Sequence, residues 1–212
     1  MGVGLRRVSA RREFQRFAAL AGGLPLAWWA LGGPPARAPW ADALSMVALV
    51  GLGLLGGLLH LTRSGAAGPA VGRILRVHRV AGYGAVAAGL AHPFLVVAPR
   101  FWEPGIAPAD ALAALVSRIG TPGLALGGLA WLACLGLGVT ALWRGPVAYR
   151  TWRLGHGWLG ILAAFSAAGH ALVLGRHRSA FMVVTAAAVV AGGVYRLLRG
   201  RPVRDNTGGI RR

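Results

Sequence analysis

The sequence predicts an all-α polytopic membrane protein, a bundle of six transmembrane helices. Three observations predict it. Of 212 residues, 56% are hydrophobic and 13% charged, about half the charged share of a soluble domain. The apolar residues fall in blocks close to the ~20 residues a helix needs to cross a bilayer. The 23 basic residues, all arginine, lie between those blocks. Set against 5 acidic residues they give a net charge of +18, which in a soluble chain would point to nucleic acid. The block pattern makes that partner unnecessary, so the lipid bilayer is expected and nucleic acid is not. A single cysteine, Cys134, excludes a disulfide framework, a thiolate metal cluster and the C-x-x-C-H run of covalently attached haem.

Six segments are read as spans: 17–33, 42–61, 80–97, 123–143, 154–174 and 180–198. The first is the shortest and contains Pro25, which a membrane helix tolerates when neighbours satisfy the freed carbonyl. Trp28, Trp29, Trp40, Trp102, Trp143, Trp152 and Trp158 lie near span ends, where an interfacial aromatic belt belongs. With the N-terminus inside, the inner segments carry 18 arginines and the outer ones 5. The positive-inside rule then puts both termini in the cytoplasm, in a bacterial inner membrane. Arg11, Arg12 and Phe14 resemble a twin-arginine signal, and Ala36, Arg37 and Ala38 a cleavage site, but Pro39 should block cleavage. The expected organisation is a basic N-terminal segment (1–16), one six-helix domain (17–198) and a basic tail (199–212).

Four of the six histidines repeat one spacing. His78 and His92 on the third span, and His156 and His170 on the fifth, are each fourteen residues apart. Fourteen steps of about 100° fall some 40° short of four turns, so both members face one side of their helix, about 21 Å apart. The third and fifth spans run parallel, which sets His78 opposite His156 on the inner side and His92 opposite His170 on the outer. Along the same stripe lie Gly82, Ala85 and Gly89, and Gly160, Ala163 and Ala167, all small enough for a flat macrocycle to approach. Two facing imidazoles with room between them suit the two axial positions of a haem b iron. Intramembrane histidines also serve proton or ion pathways, and small stripes serve plain helix packing. Arg79 and Arg153 near the inner pair, and Arg100 and Arg176 beyond the outer, are read as partners for haem propionates. Anchoring of helix ends to lipid headgroups is the competing reading. His60 and His177 have no partner at the repeated spacing and are read as surface or interfacial. The longest connection, 99–123, is expected to hold a short surface helix over residues 108–119 at the outer face.

At these residues the chain resembles the ferric reductase-like transmembrane domain family, which includes NADPH oxidases and bacterial flavocytochrome reductases. The matching stretches are HRVAGYGAVAAGLAH from His78 to His92 and YRTWRLGHGWLGILAAFSAAGH from Tyr149 to His170; IGTPGLALGGLAWLACLGLGVTALWR from Ile119 resembles the helix between them. The resemblance covers roughly residues 40–200. It implies two stacked haems b with the four histidines as axial ligands, and electrons passing from the cytoplasmic side to an acceptor outside.

The resemblance has one departure. Most relatives carry FAD- and NAD(P)H-binding domains after the sixth helix, and the segment RGRPVRDNTGGIRR holds no strand, glycine loop and helix that would cradle a nucleotide. The chain is therefore expected to be the electron-transfer component of an oxidoreductase, unable to oxidise NAD(P)H by itself. FAD or quinol would act only through a flavoprotein reductase partner or the membrane quinol pool. A haem subunit feeding a periplasmic reductase, of the methionine sulfoxide reductase type, is the alternative within the resemblance. A proton-coupled transporter using the intramembrane histidines is the alternative outside it.

Overall fold

The computed structural model describes residues 11–31, 39–61, 69–143, 145–174 and 179–199, and every regular element among them is a helix. Helix α1 covers residues 11–31, α2 Pro39–His60, α3 Pro69–Val97, α4 Pro108–Leu142, α5 Tyr149–Val173 and α6 Ala180–Arg199. A 3-10 turn, Ala98–Trp102, follows α3. The segments 1–10 and 200–212, which hold most of the two expected terminal regions, lie outside the described residues, as do Arg37, Arg176 and His177.

Five helices are long and apolar enough to cross a membrane: Trp40–His60, Val71–Trp102, Pro108–Leu142, Tyr149–Val173 and Ala180–Leu198. The first expected span is a helix too, but its apolar part begins only at Phe17. Its middle, Ala19–Gly23, is a π-helical turn in which the Leu24 N–H bonds the Ala19 carbonyl. Pro25 explains the widening, because its ring has no N–H and crowds the carbonyl one turn earlier. Side chains of large apolar residues such as Val80, Phe94, Leu132, Phe165 and Val184 point outward on several helices, as lipid-facing residues do.

Several helices outrun their expected spans. Helix α3 starts at Pro69 rather than residue 80, carrying Arg73, Arg76 and Arg79 beyond the apolar stretch. Helix α4 incorporates the surface helix expected at 108–119, joined at Gly120, whose φ of 68° and ψ of 166° break the helical path. Such a positive φ suits glycine, and Pro122 just after it starts the spanning part.

The bundle has two lobes that share α2 and α5. In the first, α2, α3, α4 and α5 form a ring: each neighbouring pair packs closely, whereas the diagonal helices α3 and α5 barely approach. Its core is Leu55, Ala85, Ala133, Cys134, Leu137, Ala163 and Ala164. In the second lobe, α1 and α6 pack on the other side of α2 and α5 around Trp28, Leu49, Leu52, Ala168, Met182 and Ala186.

Helix α1 runs antiparallel to α2 and α6 and is tied at both ends. At one end Glu13, 8% exposed, accepts from Arg196, which also donates to the His60 carbonyl at 2.7 Å. At the other, the Trp28 indole donates to Thr185 Oγ1 at 2.8 Å. Between them Gly53 and Gly57 of α2 seat Pro25 and Phe17, small residues that let two backbones meet as membrane helices often do. Glu13, His60, Arg73, Arg76, Arg79, Arg150, Arg153 and Arg196 gather at one end, called here the basic end. The 3-10 turn and the 108–119 helix mark the loop end.

His60, expected at the surface or at an interface, is half-buried where the end of α2 meets α6. Its Nε2–H donates to the Val189 carbonyl at 2.8 Å and its ring lies over Gly192 of α6. The missing side chain at 192 gives the imidazole its slot. A side chain at Gly53 would collide with the Pro25 ring and the Leu20 carbonyl. Gly53→Val should therefore part α1 from α2 and cost about 1–3 kcal/mol, measured as a lower unfolding temperature in detergent, while Gly72→Ala, in open space, should leave it unchanged.

Candidate functional site

The diagonal pair of helices carries the four repeated histidines, and α4 between them orients two of the rings. At the basic end the His78 and His156 ring centroids stand 6.4 Å apart, tilted by 55°. At the loop end His92 lies within electrostatic reach of His170. The two levels are separated by a waist in which Ala85 is 1% and Ala163 0% exposed.

On α5 both rings are anchored through Nδ1. The Thr140 hydroxyl proton is directed at the Gly136 carbonyl, 2.8 Å away, and the Leu137 carbonyl, 3.1 Å away. Its oxygen therefore accepts from His156, and the 2.8 Å contact to His156 Nδ1 is an N–H···O bond. Likewise the Gly123 carbonyl, which can only accept, takes its proton from His170 Nδ1 at 2.7 Å. With Nδ1–H donating to α4, each imidazole in its neutral form leaves the Nε2 lone pair for a further partner, the arrangement of a metal-binding histidine with an outer partner.

Other neighbours tighten the two levels. Trp152 stacks on His156 with centroids 5.3 Å apart and planes 17° from parallel, and its indole donates to the Thr140 carbonyl at 2.8 Å. Gly127 lies against His170, where a Cβ would come within 2.9 Å of two ring atoms. On α3 the Trp131 indole of α4 donates to the Leu90 carbonyl at 3.2 Å. Thr140, Gly123, Gly127 and the bridging part of Trp152 went unseen in the sequence. Trp152 stood out there only as an interfacial aromatic, and nothing in residue spacing reveals a bond between helices.

The remaining expected residues are distributed as follows. Ala85 and Ala163 share the first-lobe core. Gly89 abuts Cys134 of α4, Gly160 faces Leu59 of α2, and Gly82 has open space where a side chain would be. Ala167 packs against the second core. Arg79 is exposed and Arg153 half-buried at the basic end. Arg100 is half-buried at the loop end, where it bonds Glu103 at 2.7 Å, and its Nε is buried without a hydrogen-bond partner. His92 Nδ1 is also buried and unpartnered. Among the described residues, no three of His, Cys, Asp and Glu converge on one point.

The fold and these paired imidazoles define a class: a helical membrane protein built around histidines facing one another across a four-helix core. The chain belongs to the ferric reductase-like transmembrane component family, whose model matches residues 43–167. That match covers the ring of α2 to α5 almost alone, including His78, His92 and His156 and stopping just short of His170. An uncharacterized protein of Archaeoglobus fulgidus is 36% identical over 128 residues, 59% of this chain and 69% of the relative. No solved structure matches.

Thr140→Val keeps the shape of the side chain but leaves His156 Nδ1–H without its acceptor. It should cost about 1–3 kcal/mol in thermal unfolding, and Thr140→Ser, which keeps the oxygen, should recover most of that.

Proposed function

We propose that this protein is a transmembrane electron conduit that holds two haem b groups, one between His78 and His156 and one between His92 and His170. It would take electrons from a donor at the basic end and release them to an acceptor at the loop end. The observation that carries this is the separation of the His78 and His156 rings across the diagonal of the four-helix ring. Two nitrogen–metal bonds of about 2 Å, with ~1.1 Å more from each nitrogen to its ring centre, separate two axial imidazoles by about 6 Å. The centroids stand at 6.4 Å.

The donor chemistry fits the same group. A porphyrin brings four nitrogens of its own, so it needs only two from the protein, and each level offers two. The fixed Nδ1–H of His156 and His170 leaves Nε2 to bind iron and raises its basicity through the outer hydrogen bond. Of the small residues along the stripe, Gly82 leaves open space beside α3 for a planar macrocycle, while Ala85 and Ala163 fill the core between the two levels. The buried, unpartnered Nε of Arg100 suits a propionate carboxylate. We assign the same duty to Arg79 and Arg153 at the basic end, and to Arg176, which lies outside the described residues.

Bound haem would supply reversible one-electron chemistry at iron, and His78, His156, His92 and His170 would hold that iron, two of them oriented by Thr140 and Gly123. We read α1 as the sixth span: residues 11–31 make a helix of about 31 Å, and its ties to Thr185 and Arg196 lie about three helical turns apart on α6. The basic end then faces the cytoplasm of a plasma membrane, because on the six-span topology the inner segments of the sequence carry 18 of the 23 arginines. Reducing equivalents would come from a flavoprotein partner or from quinol, and the acceptor would be ferric iron or a periplasmic reductase outside.

Purified protein should be red, with a b-type reduced-minus-oxidised spectrum and two haems per chain. His78→Ala or His156→Ala should remove one haem and His92→Ala or His170→Ala the other, resolved by potentiometric titration with haem quantitation. Colourless protein from haem-replete cells, or two haems retained in all four variants, would reject the assignment.

A further inference from the structure

A row of aromatic rings leads from the surface of the basic end to the His78/His156 pair. Tyr149, at the first turn of α5 and 45% exposed, stacks on Trp152 with centroids 5.8 Å apart and planes 27° from parallel. Trp152 stacks in turn on His156 at 5.3 Å and 17°, and His156 faces His78 at 6.4 Å. The three α5 residues follow at steps of three and four along one face of the helix.

The row is held still. Thr140 takes the Trp152 indole proton on its carbonyl and the His156 proton on its hydroxyl, so one residue fixes both rings. Among the described residues the loop end shows no such row: Phe101 and Trp102 meet edge-on rather than stacked.

We propose that Tyr149 and Trp152 form the electron entry to the His78/His156 pair. A planar aromatic donor ring, flavin or quinol, stacks on the exposed Tyr149 face, and Trp152 bridges from there to the ligand His156. This rests on the haem reading above. Each transfer takes one electron from the reduced donor ring and turns one ferric iron ferrous. Two transfers oxidise the donor fully, its two protons pass to water at the basic end, and Tyr149 and Trp152 finish unchanged. Exposed Arg150 on the same helical turn supplies a cation for the phosphate of a flavin nucleotide, whereas a quinol would reach the same ring from the lipid side.

The test uses the haem-loaded protein in nanodiscs, mixed without oxygen with reduced flavin mononucleotide in one arm and a short-tailed quinol in the other. Ferrous haem absorbance gives the rate. Tyr149→Ala and Trp152→Leu should slow it by an order of magnitude, and Trp152→Phe, which keeps a ring, should recover most of the loss. Slowing confined to the flavin arm assigns an aqueous donor, and slowing confined to the quinol arm a membrane one. Two readouts separate conduction from damage: midpoint potentials should stay at the wild-type values, and Tyr149→Ala should abolish quenching of flavin fluorescence if flavin is the donor. Wild-type rates in both arms for Tyr149→Ala and Trp152→Leu would overturn the relay and leave these rings as interfacial anchors. A potential shift large enough to explain the slowing would overturn it as well. Wild-type protein without a haem spectrum would instead overturn the parent reading, before any donor is added.

Discussion

Two hydrogen bonds from α5 to α4 set the geometry on which the site depends. An imidazole on a helix turns freely about two bonds, and either nitrogen can carry its proton. The Thr140 hydroxyl and the Gly123 carbonyl remove both freedoms, because each accepts from Nδ1 and so turns Nε2 inward. The close packing of α4 against α5 along nearly their whole length keeps both acceptors in register with rings four turns apart.

The ring of four helices supplies the rest. Histidines on neighbouring helices would be too close to admit a large planar group; on diagonal helices they look across the core, as ligands do in other helical bundles. Small residues, Ala85 and Ala163, fill the core between the two levels. The second lobe adds no histidine pair. It covers the far faces of α2 and α5 and ties α1, α2 and α6 together through buried Glu13, the Arg196 network and the Trp28–Thr185 bond.

Much of this was legible in the chain itself, for reasons that differ by element. The spans showed because lipid demands long apolar runs, and the 108–119 helix showed because proline and glycine bracket an amphipathic stretch. The repeated fourteen-residue spacing showed because a helix converts it directly into one face. Extensions such as residues 69–79 were hidden, since a helix continuing past the bilayer loses its apolar signature without losing its backbone bonds. His60 looked solitary because its partner is a main-chain carbonyl 129 positions away. The Thr140 and Gly123 anchors were hidden for the same reason: interhelical bonds leave no periodic trace.

Those two anchors differ in one respect with an evolutionary side. Thr140 holds its histidine with a side chain, and a single codon change can replace or delete that acceptor. Gly123 holds its histidine with the main chain, which every residue possesses. Inheritance can therefore retune the surroundings of the basic-end histidine one substitution at a time, while the loop-end histidine keeps its acceptor for as long as the helix itself persists.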